Sequence, residues 1–306
     1  MKGKIAITPR SLSGAGHPSL SLLTDQGYEL VFPAPGQTPT EEALLLSVPG
    51  CVGWLAGVEP IPAGVLDHAN GLRVISRNGV GVDNIDLAAA ERLGIAVERA
   101  AGTNARGVAE LAITLMLAGF RHVPWSDAQL HQGKWERRKG IEAEGRTLGI
   151  IGCGAIGQTV ARIAIGLGMK VLGYDPYPPK DFAPEGFRMA SLDEIFQLAD
   201  AISLHCPPSD KPLVDPQVVA SLKPGVVMIN TARAELIDEP AVLRGLKDGQ
   251  ISCLATDVFR AEPPEASELL SHDRVIMTPH AGGFTEESVT RATTTAVQNL
   301  LKVLGE

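Results

Sequence analysis

The sequence predicts an α/β fold made of two doubly wound, Rossmann-like domains, each built on a parallel sheet. Short apolar runs rich in β-branched residues alternate with segments of helical periodicity in the first hundred residues, and the alternation starts again at Thr147. Such alternation is typical of parallel strands covered by helices on both faces. Two units of this kind in a chain of 306 residues indicate a ligand-binding cleft between them.

The predicted elements of the first unit are short and widely spaced. They are strands at 4–9, 51–57 and 72–79, a helix at 84–94, and a helix at 285–304 near the end of the chain. The first of these helices ends at Gly94, and glycine commonly terminates helices. The run 104–121 places its apolar side chains on one helical face and predicts a further helix.

The second unit follows a denser alternation. We predict strands at 147–152, 170–175, 201–206, 226–232, 251–257 and 274–279, and helices at 155–168, 191–199, 216–222 and 240–248. Ser191 and Glu194 have the spacing of a capping box, which marks the start of the second of these helices. The order predicts β-α-β units and therefore a parallel sheet.

The composition excludes two classes of partner. Hydrophobic residues make up 44% of the chain, charged residues 20%, and the net charge is -8. A nucleic-acid or anionic-membrane surface requires a basic footprint, which this acidic chain lacks. No apolar run approaches the roughly 20 residues of a membrane span, and the N-terminal residues show no long apolar segment. We therefore expect a cytoplasmic protein with no membrane and no nucleic-acid partner.

The 4 cysteines form no C-x-x-C pair and lie in or beside apolar runs. This usage predicts buried free thiols in a reducing compartment, and we expect no metal site.

A glycine motif of the form G-x-G-x-x-G is present as Gly152, Gly154 and Gly157. It follows a predicted strand and opens a predicted helix, which is the context of a dinucleotide-binding turn. In such a turn the glycines allow a tight bend, a close approach to a pyrophosphate, and close packing of the helix whose N-terminus faces the phosphates. The alternative is a tight turn without a ligand, because glycine-rich turns are common.

Asp175 ends the next predicted strand, 18 residues after Gly157. A carboxylate at this position would receive the adenosine ribose hydroxyls and repel a 2′-phosphate, which favours NAD(H) over NADP(H). The alternative is that an acid before Pro176 only starts a turn. We expect this part of the cofactor site to contain Gly152, Gly154, Ala155, Ile156, Gly157, Asp175 and Pro176.

Three charged or ionisable residues follow successive predicted strands, at the edge where ligands bind in doubly wound sheets. Arg233 follows the fourth strand of the second unit, Glu262 lies in the loop after the fifth, and His280 follows the sixth. A nicotinamide enzyme acting on a hydroxyl or carbonyl group requires an acid or base and a cation that polarises the carbonyl. Taken singly, the three could instead be a surface ion pair, a solvated loop residue and a structural histidine.

An ordered series of segments resembles the D-isomer-specific 2-hydroxyacid dehydrogenase family over most of the chain, whereas the first fifty residues match poorly. The segments are ISRNGVGVDNIDL, GTNARGVAEL, GRTLGIIGCGAIG, GYDPY, SLHCPPS, LKPGVVMINTARAELIDE, LATDVFRAEPP and MTPHAGG. The resemblance implies that residues 1–98 plus 284–306 form a flavodoxin-like substrate domain, that residues 99–283 form an NAD-binding Rossmann domain, and that the cofactor is NAD.

The resemblance also implies a role for each strand-end residue. Arg233 would pair with the substrate carboxylate and polarise the C2 carbonyl, since a bidentate fork suits that task. His280 would give its proton to the carbonyl oxygen during reduction and take it back during oxidation. Glu262 would contact His280 and favour its imidazolium form.

By the same resemblance, a loop of the first unit would offer backbone N–H groups to the substrate carboxylate. The implied substrate-binding residues are Arg77, Asn78, Gly79, Val80 and Gly81. The remaining cofactor contacts would come from His205, Cys206, Pro207, Thr231, Ala232, Asp257 and Gly282.

The resemblance is nearest to the phosphoglycerate dehydrogenase-like branch, because of Arg77 and the segment GKWERRKG at 133–140. Against that branch, LAGVEPIP at 55–62 replaces the Arg/Ser/Thr cluster that would hold a distal phosphate. Reduction of glyoxylate or hydroxypyruvate is the alternative, and a sugar acid stays open. Two departures also bear on the site: Ala234 and Glu235 follow Arg233 where the family usually reads ARGG, and PPSDKPLVDP replaces a Thr-rich loop.

The expected partners are a small-molecule 2-keto or 2-hydroxy acid and a second copy of the chain. The family usually forms homodimers through the cofactor domain, which implicates helix 104–121 and the following segment with Trp125 and Trp135. A monomer that packs these tryptophans internally is the alternative. A different class, an NAD-sensing corepressor-like binding protein, stays open because such relatives can keep the same three strand-end residues.

Overall fold

The computed structural model describes residues 2–305, which form two compact units. The first unit runs up to Asn104 and resumes at Glu286, and the second unit spans Ala105–Thr285. The chain passes from the first unit to the second and back again a few residues after the expected boundaries at 98/99 and 283/284.

The strands are short and all of their pairings are parallel. In the first unit they are β1 (Gly3–Ile7), β2 (Tyr28–Val31), β3 (Cys51–Ala56), β4 (Val74–Arg77) and β5 (Ala96–Arg99). In the second unit they are β6 (Thr147–Ile151), β7 (Lys170–Tyr174), β8 (Phe187–Met189), β9 (Ala201–Leu204), β10 (Val226–Asn230), β11 (Ile251–Thr256) and β12 (Val275–Met277).

Each unit contains one sheet with a reversal of strand order. The first sheet has the order β2-β1-β3-β4-β5, and the second has the order β12-β11-β10-β9-β6-β7-β8. The order reverses between β1 and β3 in the first sheet and between β6 and β9 in the second. At such a switch point the connections leave toward opposite faces and open a crevice at the carboxyl ends of the strands, where ligands bind. The prediction of two parallel-sheet α/β domains is confirmed.

Helices cover the faces of both sheets. They are α1 (Arg10–Ala15), α2 (Ser21–Asp25), α3 (Glu41–Ser47), α4 (Ala63–His68), α5 (Leu87–Arg92), α6 (Ala105–Arg121), α7 (Val123–His131), α8 (Ala155–Gly166), α9 (Leu192–Leu198), α10 (Pro216–Ser221), α11 (Glu239–Asp248) and α12 (Glu286–Leu304). Single 3-10 turns lie at Pro18–Leu20 and Ala234–Leu236. Within 2–305, no helix has the length and apolar character needed to cross a membrane.

Both sheets are buried on two faces, which is why their central strands read as continuous apolar runs. In the first unit, Trp54 of β3 packs into a cluster on one face, whereas Leu55 packs with Leu300 of α12 on the other. In the second unit, Ile229 of β10 shares a cluster with α6 and α8, and Met228 shares one with α9 and α11. Each predicted strand and helix is present; β2, β5, β8, α3, α4 and α7 are among the elements that the patterns did not predict.

Candidate active site

The glycine-rich loop lies at the switch point of the second sheet. Strand β6 ends at Ile151 and its neighbour β9 ends at Leu204, directly opposite it in register. The loop therefore begins beside His205, whose N–H donates to the carbonyl of Ile151 at 2.7 Å. This is the position at which doubly wound sheets bind ligands.

The three motif glycines meet three different steric conditions. Gly152 has φ +99°, and a Cβ at this position would collide with the carbonyl of His205. A Cβ at Gly157 would collide with the carbonyl oxygen of Gly152. At Gly154, by contrast, a Cβ would meet no atom within 4 Å. The first and third glycines are therefore required by packing, and the second leaves open space at the start of a helix, as a dinucleotide-binding turn requires.

The N-terminus of α8 has no side-chain cap. Gly154 is its N-cap residue, whereas Ser191 caps α9 and Asp238 caps α11 through their side chains. No hydrogen bond within the described chain occupies the N–H groups of Ala155 and Ile156. Exposed helix N–H groups next to a glycine cradle fit a pyrophosphate, because the donors and the positive end of the helix dipole both attract an anion.

Asp175 follows β7 and turns back toward the glycine loop. Its Oδ2 accepts the N–H of Cys153 at 2.8 Å, and its Oδ1 accepts the N–H of Tyr177 at 2.8 Å. The carboxylate therefore starts a turn at Pro176, as the alternative interpretation had it. Each carboxylate oxygen has a second lone pair, so the group keeps the capacity to accept ribose hydroxyls.

Cys153, between the first two glycines, is a packing residue. It is buried, and burial raises the pKa of its thiol to about 11. A Cβ at Gly173 would come within 2.8 Å of its sulfur and closer still to the Phe187 ring, so the thiol and this ring together fill the space that Gly173 leaves free.

The segment after β9 and the turn after β10 contain buried polar atoms without partners among the described residues. His205 Nε2 lies 2.8 Å from Ser203 Oγ, but His205 Nδ1 is buried and unpartnered, as is Thr231 Oγ1. Burial lowers the pKa of His205 to about 4, so the ring is neutral at pH 7. Burial also raises the pKa of the adjacent Cys206 thiol. Unpartnered buried atoms are rare in proteins and fit a site where a bound cofactor supplies the missing partner.

Arg233 is presented by a turn that Asn230 fixes. The Asn230 side chain is fully buried, donates to the carbonyl of Arg233 at 2.8 Å and accepts the N–H of Ala232 at 3.1 Å. Ala234 is buried in the following 3-10 turn and Glu235 is exposed, so this turn accommodates both departures from the usual glycines. The role of Asn230 was not predicted, and its position at the last residue of a buried strand is the signal that marks it.

Glu262 and His280 form a pair. His280 Nδ1 lies 2.8 Å from Glu262 Oε2 and 3.0 Å from Oε1. Oε1 also accepts the N–H of Phe259 at 3.2 Å, which fixes the carboxylate. His280 is half-exposed, and its Nε2 has no partner in residues 2–305. With Nδ1–H directed to the carboxylate, Nε2 is the atom available for proton transfer.

Asp257 holds the turn that carries His280. Its carboxylate is 2% exposed and accepts the Thr278 hydroxyl at 2.5 Å and the N–H groups of Ala281 and Gly282 at 2.8 Å. The turn is tight, because the N–H of His280 donates to the carbonyl of Thr278 at 3.0 Å. Asp257 thus has a positioning function that the sequence did not predict.

The loop after β4 in the first unit has free donors. Arg77 Nη1 donates to the carbonyl of Asn78 at 2.5 Å, and the Arg77 guanidinium packs on Gly79, where a Cβ would come within 2.5 Å of it. Among the described residues no hydrogen bond occupies the N–H groups of Val80 and Gly81. Two adjacent backbone donors of this kind can bind a carboxylate.

The predicted site residues thus fall into two sets. The catalytic and cofactor-binding candidates all lie in the second unit, at or after the carboxyl ends of its strands. The substrate-binding candidates 77–81 lie in the first unit, at the carboxyl end of β4.

The two tryptophans after α6 have different environments. The Arg138 guanidinium lies 3.9 Å from the ring centroid of Trp125 and pairs with Asp273 at 2.5 Å. The hydrogen bond from Arg138 lowers the pKa of Asp273. Trp135 is 84% exposed. Internal packing, the alternative to a dimer contact, therefore does not describe Trp135.

The fold and the glycine loop define the second unit as a dinucleotide-binding domain of the dehydrogenase class. Residues 113–282 match the model of the D-isomer specific 2-hydroxyacid dehydrogenase, NAD binding domain. The chain belongs to this family, and its cofactor is NAD.

Sequence alignments with related proteins extend over most of this chain. It is 44% identical over 247 residues to a D-3-phosphoglycerate dehydrogenase of Methanocaldococcus jannaschii, covering 78% of this chain and 47% of that one. It is 40% identical over 252 residues to a hydroxypyruvate reductase of Thermotoga maritima, covering 80% and 82%. The chain spans about half the length of the phosphoglycerate dehydrogenases it matches. Its structure is similar to that of the TT0316 protein from Thermus thermophilus, with a TM-score of 0.88, 32% identity and coverage of 98% and 96%.

Proposed function

We propose that the protein is an NAD-dependent D-2-hydroxyacid dehydrogenase that interconverts a small 2-keto acid and the corresponding 2-hydroxy acid. The observation that carries this proposal is the Glu262–His280 pair, with Nδ1 held at 2.8 Å and Nε2 open. An imidazole oriented in this way, in a chain whose second unit is an NAD-binding domain, is suited to move the proton of an alcohol. Membership of the family supports the same activity.

Proton transfer is the task of the histidine. NAD(H), when bound, supplies or takes up the hydride at the substrate carbon. His280 Nε2 gives a proton to the carbonyl oxygen during reduction and takes it back during oxidation. Glu262 holds the imidazole in one orientation through the contact at Nδ1.

Each unit contains candidate residues for binding the substrate carboxylate. We assign residues 1–98 with 284–306 to a substrate domain, whose Val80 and Gly81 N–H groups meet the carboxylate. Arg233 forms the bidentate ion pair with it and polarises the neighbouring carbonyl. The free donors of the loop and the rigid turn around Asn230 support these roles.

Cofactor binding is assigned to the second unit, residues 99–283. The uncapped N-terminus of α8 and the open space at Gly154 would hold the pyrophosphate. Asp175 would bind the adenosine ribose. The negative charge of Asp175 disfavours a 2′-phosphate, so we expect NAD(H) to be preferred over NADP(H). His205 and Thr231 would contribute polar atoms beside the bound cofactor.

We assign a substrate of the phosphoglycerate dehydrogenase type, since several relatives are named D-3-phosphoglycerate dehydrogenase. A second candidate is reduction of hydroxypyruvate or glyoxylate. It is supported by the name of the Thermotoga relative and by the loop after β3, where residues 57–60 contain no cation to hold a phosphate.

We further propose that the protein is a cytoplasmic homodimer. Exposure of Trp135, Leu130 and Val123 after α6 supports a contact between copies in this region, because a group of exposed large apolar side chains often marks an interface. Sedimentation at several protein concentrations tests this assignment, and a concentration-independent monomer would contradict it.

The activity is tested by following NADH consumption with purified protein and a panel of 2-keto acids: phosphohydroxypyruvate, hydroxypyruvate, glyoxylate, pyruvate and a keto sugar acid. We expect turnover of at least one of them, with NADH preferred over NADPH. The absence of turnover with every acid, although NADH binds, would refute the enzyme assignment and favour a nucleotide-sensing protein. Comparison of kcat/KM across the panel decides between the two substrate candidates.

A further inference from the structure

Arg10 is a cation at the carboxyl edge of the first sheet for which the proposed chemistry has no use. It is the first residue of α1, and only Thr8 and Pro9 separate it from the end of β1. Its side chain is exposed, and its guanidinium forms no hydrogen bond or ion pair within residues 2–305. Its charge and its N–H donors are therefore available to a ligand.

The position of Arg10 is the switch point of the first sheet, where the strand order reverses between β1 and β3. The connections that follow these two strands lie on opposite faces. Leu12 of α1 packs in the cluster on one face, and Val65 of α4 packs in the cluster on the other. A crevice therefore opens between the loops after β1 and β3, and sheets of this kind bind their ligands in such a crevice.

The direction of the Arg10 side chain follows from its place in α1. Side chains of an α-helix tilt toward its N-terminus, and α1 begins at the carboxyl edge of the sheet. Leu12 and Ser13 form the buried side of this helix, whereas Arg10 is on the exposed side. The guanidinium therefore extends over the edge of the sheet and not into the core.

The loop after β3 packs directly on the segment that carries Arg10. The N–H of Thr8 donates to the carbonyl of Leu55 at 3.1 Å, and the Thr8 hydroxyl contacts the buried carboxyl group of Glu59. A Cβ at Gly57 would come within 3.0 Å of the Cα of Pro9. The two loops on either side of the switch point are thus held together.

The loop after β4 adjoins the same piece. The N–H of Asn78 donates to the carbonyl of Ala56, the last residue of β3, at 2.8 Å. Only β3 separates β1 from β4 in the sheet, and neighbouring strands are about 4.8 Å apart, so the ends of β1 and β4 are about 10 Å apart. A keto acid whose carboxylate lies on the Val80 and Gly81 N–H groups can therefore extend its other end across the β3 loop toward Arg10.

The charges at this edge leave Arg10 as the group that can receive an anion there. Residues 57–60 of the β3 loop contain no cation. Glu59, the acid of that loop, is 1% exposed and forms no ion pair with Arg10. The Arg77 guanidinium is folded on Gly79. An exposed guanidinium with its N–H fork open suits a phosphoryl or carboxylate group.

We propose that Arg10 is a specificity-determining residue: its guanidinium binds a second anionic group of the substrate, phosphoryl or carboxylate, while the Val80 and Gly81 N–H groups bind the carboxylate next to the keto group. The inference rests on the proposed dehydrogenase function and on the role assigned above to this loop. It predicts that doubly charged 2-keto acids are preferred over singly charged ones, and that Arg10 causes the preference.

The test compares substrates that differ in the second anionic group alone. Phosphohydroxypyruvate is paired with hydroxypyruvate, and oxaloacetate with pyruvate, and kcat/KM is measured with NADH for the parent protein and Arg10→Gln. We expect the parent to prefer the doubly charged acid of at least one pair. Arg10→Gln should lower kcat/KM for that acid at least roughly tenfold, mainly through KM, because one charge-assisted hydrogen bond is lost. The value for the singly charged acid should change less than about twofold.

Two further variants serve as controls. Arg10→Lys keeps the charge but not the fork, so its loss should be smaller than that of the Gln variant. Arg99, the last residue of β5, is also exposed, and in the described part of the chain its side chain has no hydrogen bond or ion pair. Arg99→Gln removes the same charge from the other side of β4 and should leave the preference unchanged. Circular dichroism checks that every variant folds.

The pair that responds identifies the second group as phosphoryl or carboxylate. Equal losses for both acids of each pair, a parent that prefers the singly charged acids, or the same change in Arg99→Gln would overturn the proposal while the dehydrogenase activity stands.

A binding measurement separates this failure from failure of the proposed function. If no keto acid is turned over, the dehydrogenase assignment fails, and calorimetric titration still tests Arg10. The ligands are 3-phosphoglycerate with glycerate, and malate with lactate. In one of these pairs, Arg10→Gln should reduce the preference for the doubly charged acid, given by the ratio of Kd values, at least roughly tenfold. Unchanged ratios in both pairs would refute anion binding by Arg10.

Discussion

The carboxylate of Asp257 holds the turn on which His280 adopts a left-handed backbone conformation. His280 has φ +51°, an uncommon value for a residue other than glycine. Asp257 accepts the N–H groups of both residues that follow, Ala281 and Gly282, and thereby compensates the local strain. The orientation of the imidazole is therefore set by a buried acid as well as by Glu262.

We expect Asp257→Asn to lower kcat by roughly 10²-fold. The amide nitrogen cannot accept the N–H group that the replaced carboxylate oxygen accepts from Ala281 or Gly282, and a misplaced acid–base group loses about that much. NADH affinity should change little. Asp210→Asn, at an exposed loop position, is the control. Steady-state kinetics and an NADH fluorescence titration measure the two effects. Equal losses in kcat and NADH affinity would instead place Asp257 in direct contact with the cofactor.

The Glu262–His280 pair predicts a hierarchy of losses. His280→Ala should lower kcat by roughly 10²–10⁴-fold with NADH binding nearly intact. Glu262→Gln, which keeps an acceptor but removes the charge, should cost less. Because both residues act on one proton, the double variant should be no slower than His280→Ala alone. Additive losses, obtained from kcat of all four proteins at one pH, would show that Glu262 acts separately from the histidine.

The sequence predicted the interior of both sheets and missed most of their edges. Strands β9 and β10 are buried along their whole length, so they read as continuous apolar runs. The edge strands β2, β5 and β8 have half-exposed or exposed residues and only three or four positions each. A mixed pattern of that length does not differ from a loop, which is why these elements were not predicted.

The candidate site was predictable where its chemistry is local. The glycine spacing and the strand before it are contiguous, and both were read from the sequence. The contact between Asp257 and Gly282 joins residues 25 positions apart, and that between Thr8 and Glu59 joins residues 51 positions apart. Such contacts depend on which strands are neighbours in the sheet, and no local pattern contains that information.

Two glycine substitutions separate folding from cofactor binding. A methyl group at Gly154 meets no atom within 4 Å, so we expect Gly154→Ala to have the same unfolding temperature as the parent protein. The variant should nevertheless bind NADH at least roughly tenfold more weakly, because the methyl group occupies the space left for the pyrophosphate. Gly152→Ala should lower the free energy of unfolding by about 1–3 kcal/mol, since its φ is +99° and its Cβ collides with His205.

Calorimetry and NADH titration of both variants give the comparison. Normal NADH affinity in Gly154→Ala would mean that the pyrophosphate does not lie at the start of α8.

His205 predicts how stability changes in acid. Burial lowers its pKa to about 4 in the folded protein, against about 6.5 in the unfolded chain. As the pH falls, His205 is therefore protonated in the unfolded chain before it is protonated in the folded protein. The contribution of His205 to stability, which is present above pH 6.5, is lost as the pH falls toward 4. The loss from this group is at most about 3 kcal/mol. His205→Gln keeps a polar side chain that can bond Ser203 and does not titrate, so it should lose less stability over the same interval. Urea unfolding of both proteins between pH 4 and 8 measures the difference, and parallel curves would show that His205 is protonated as readily in the folded protein as in the unfolded one.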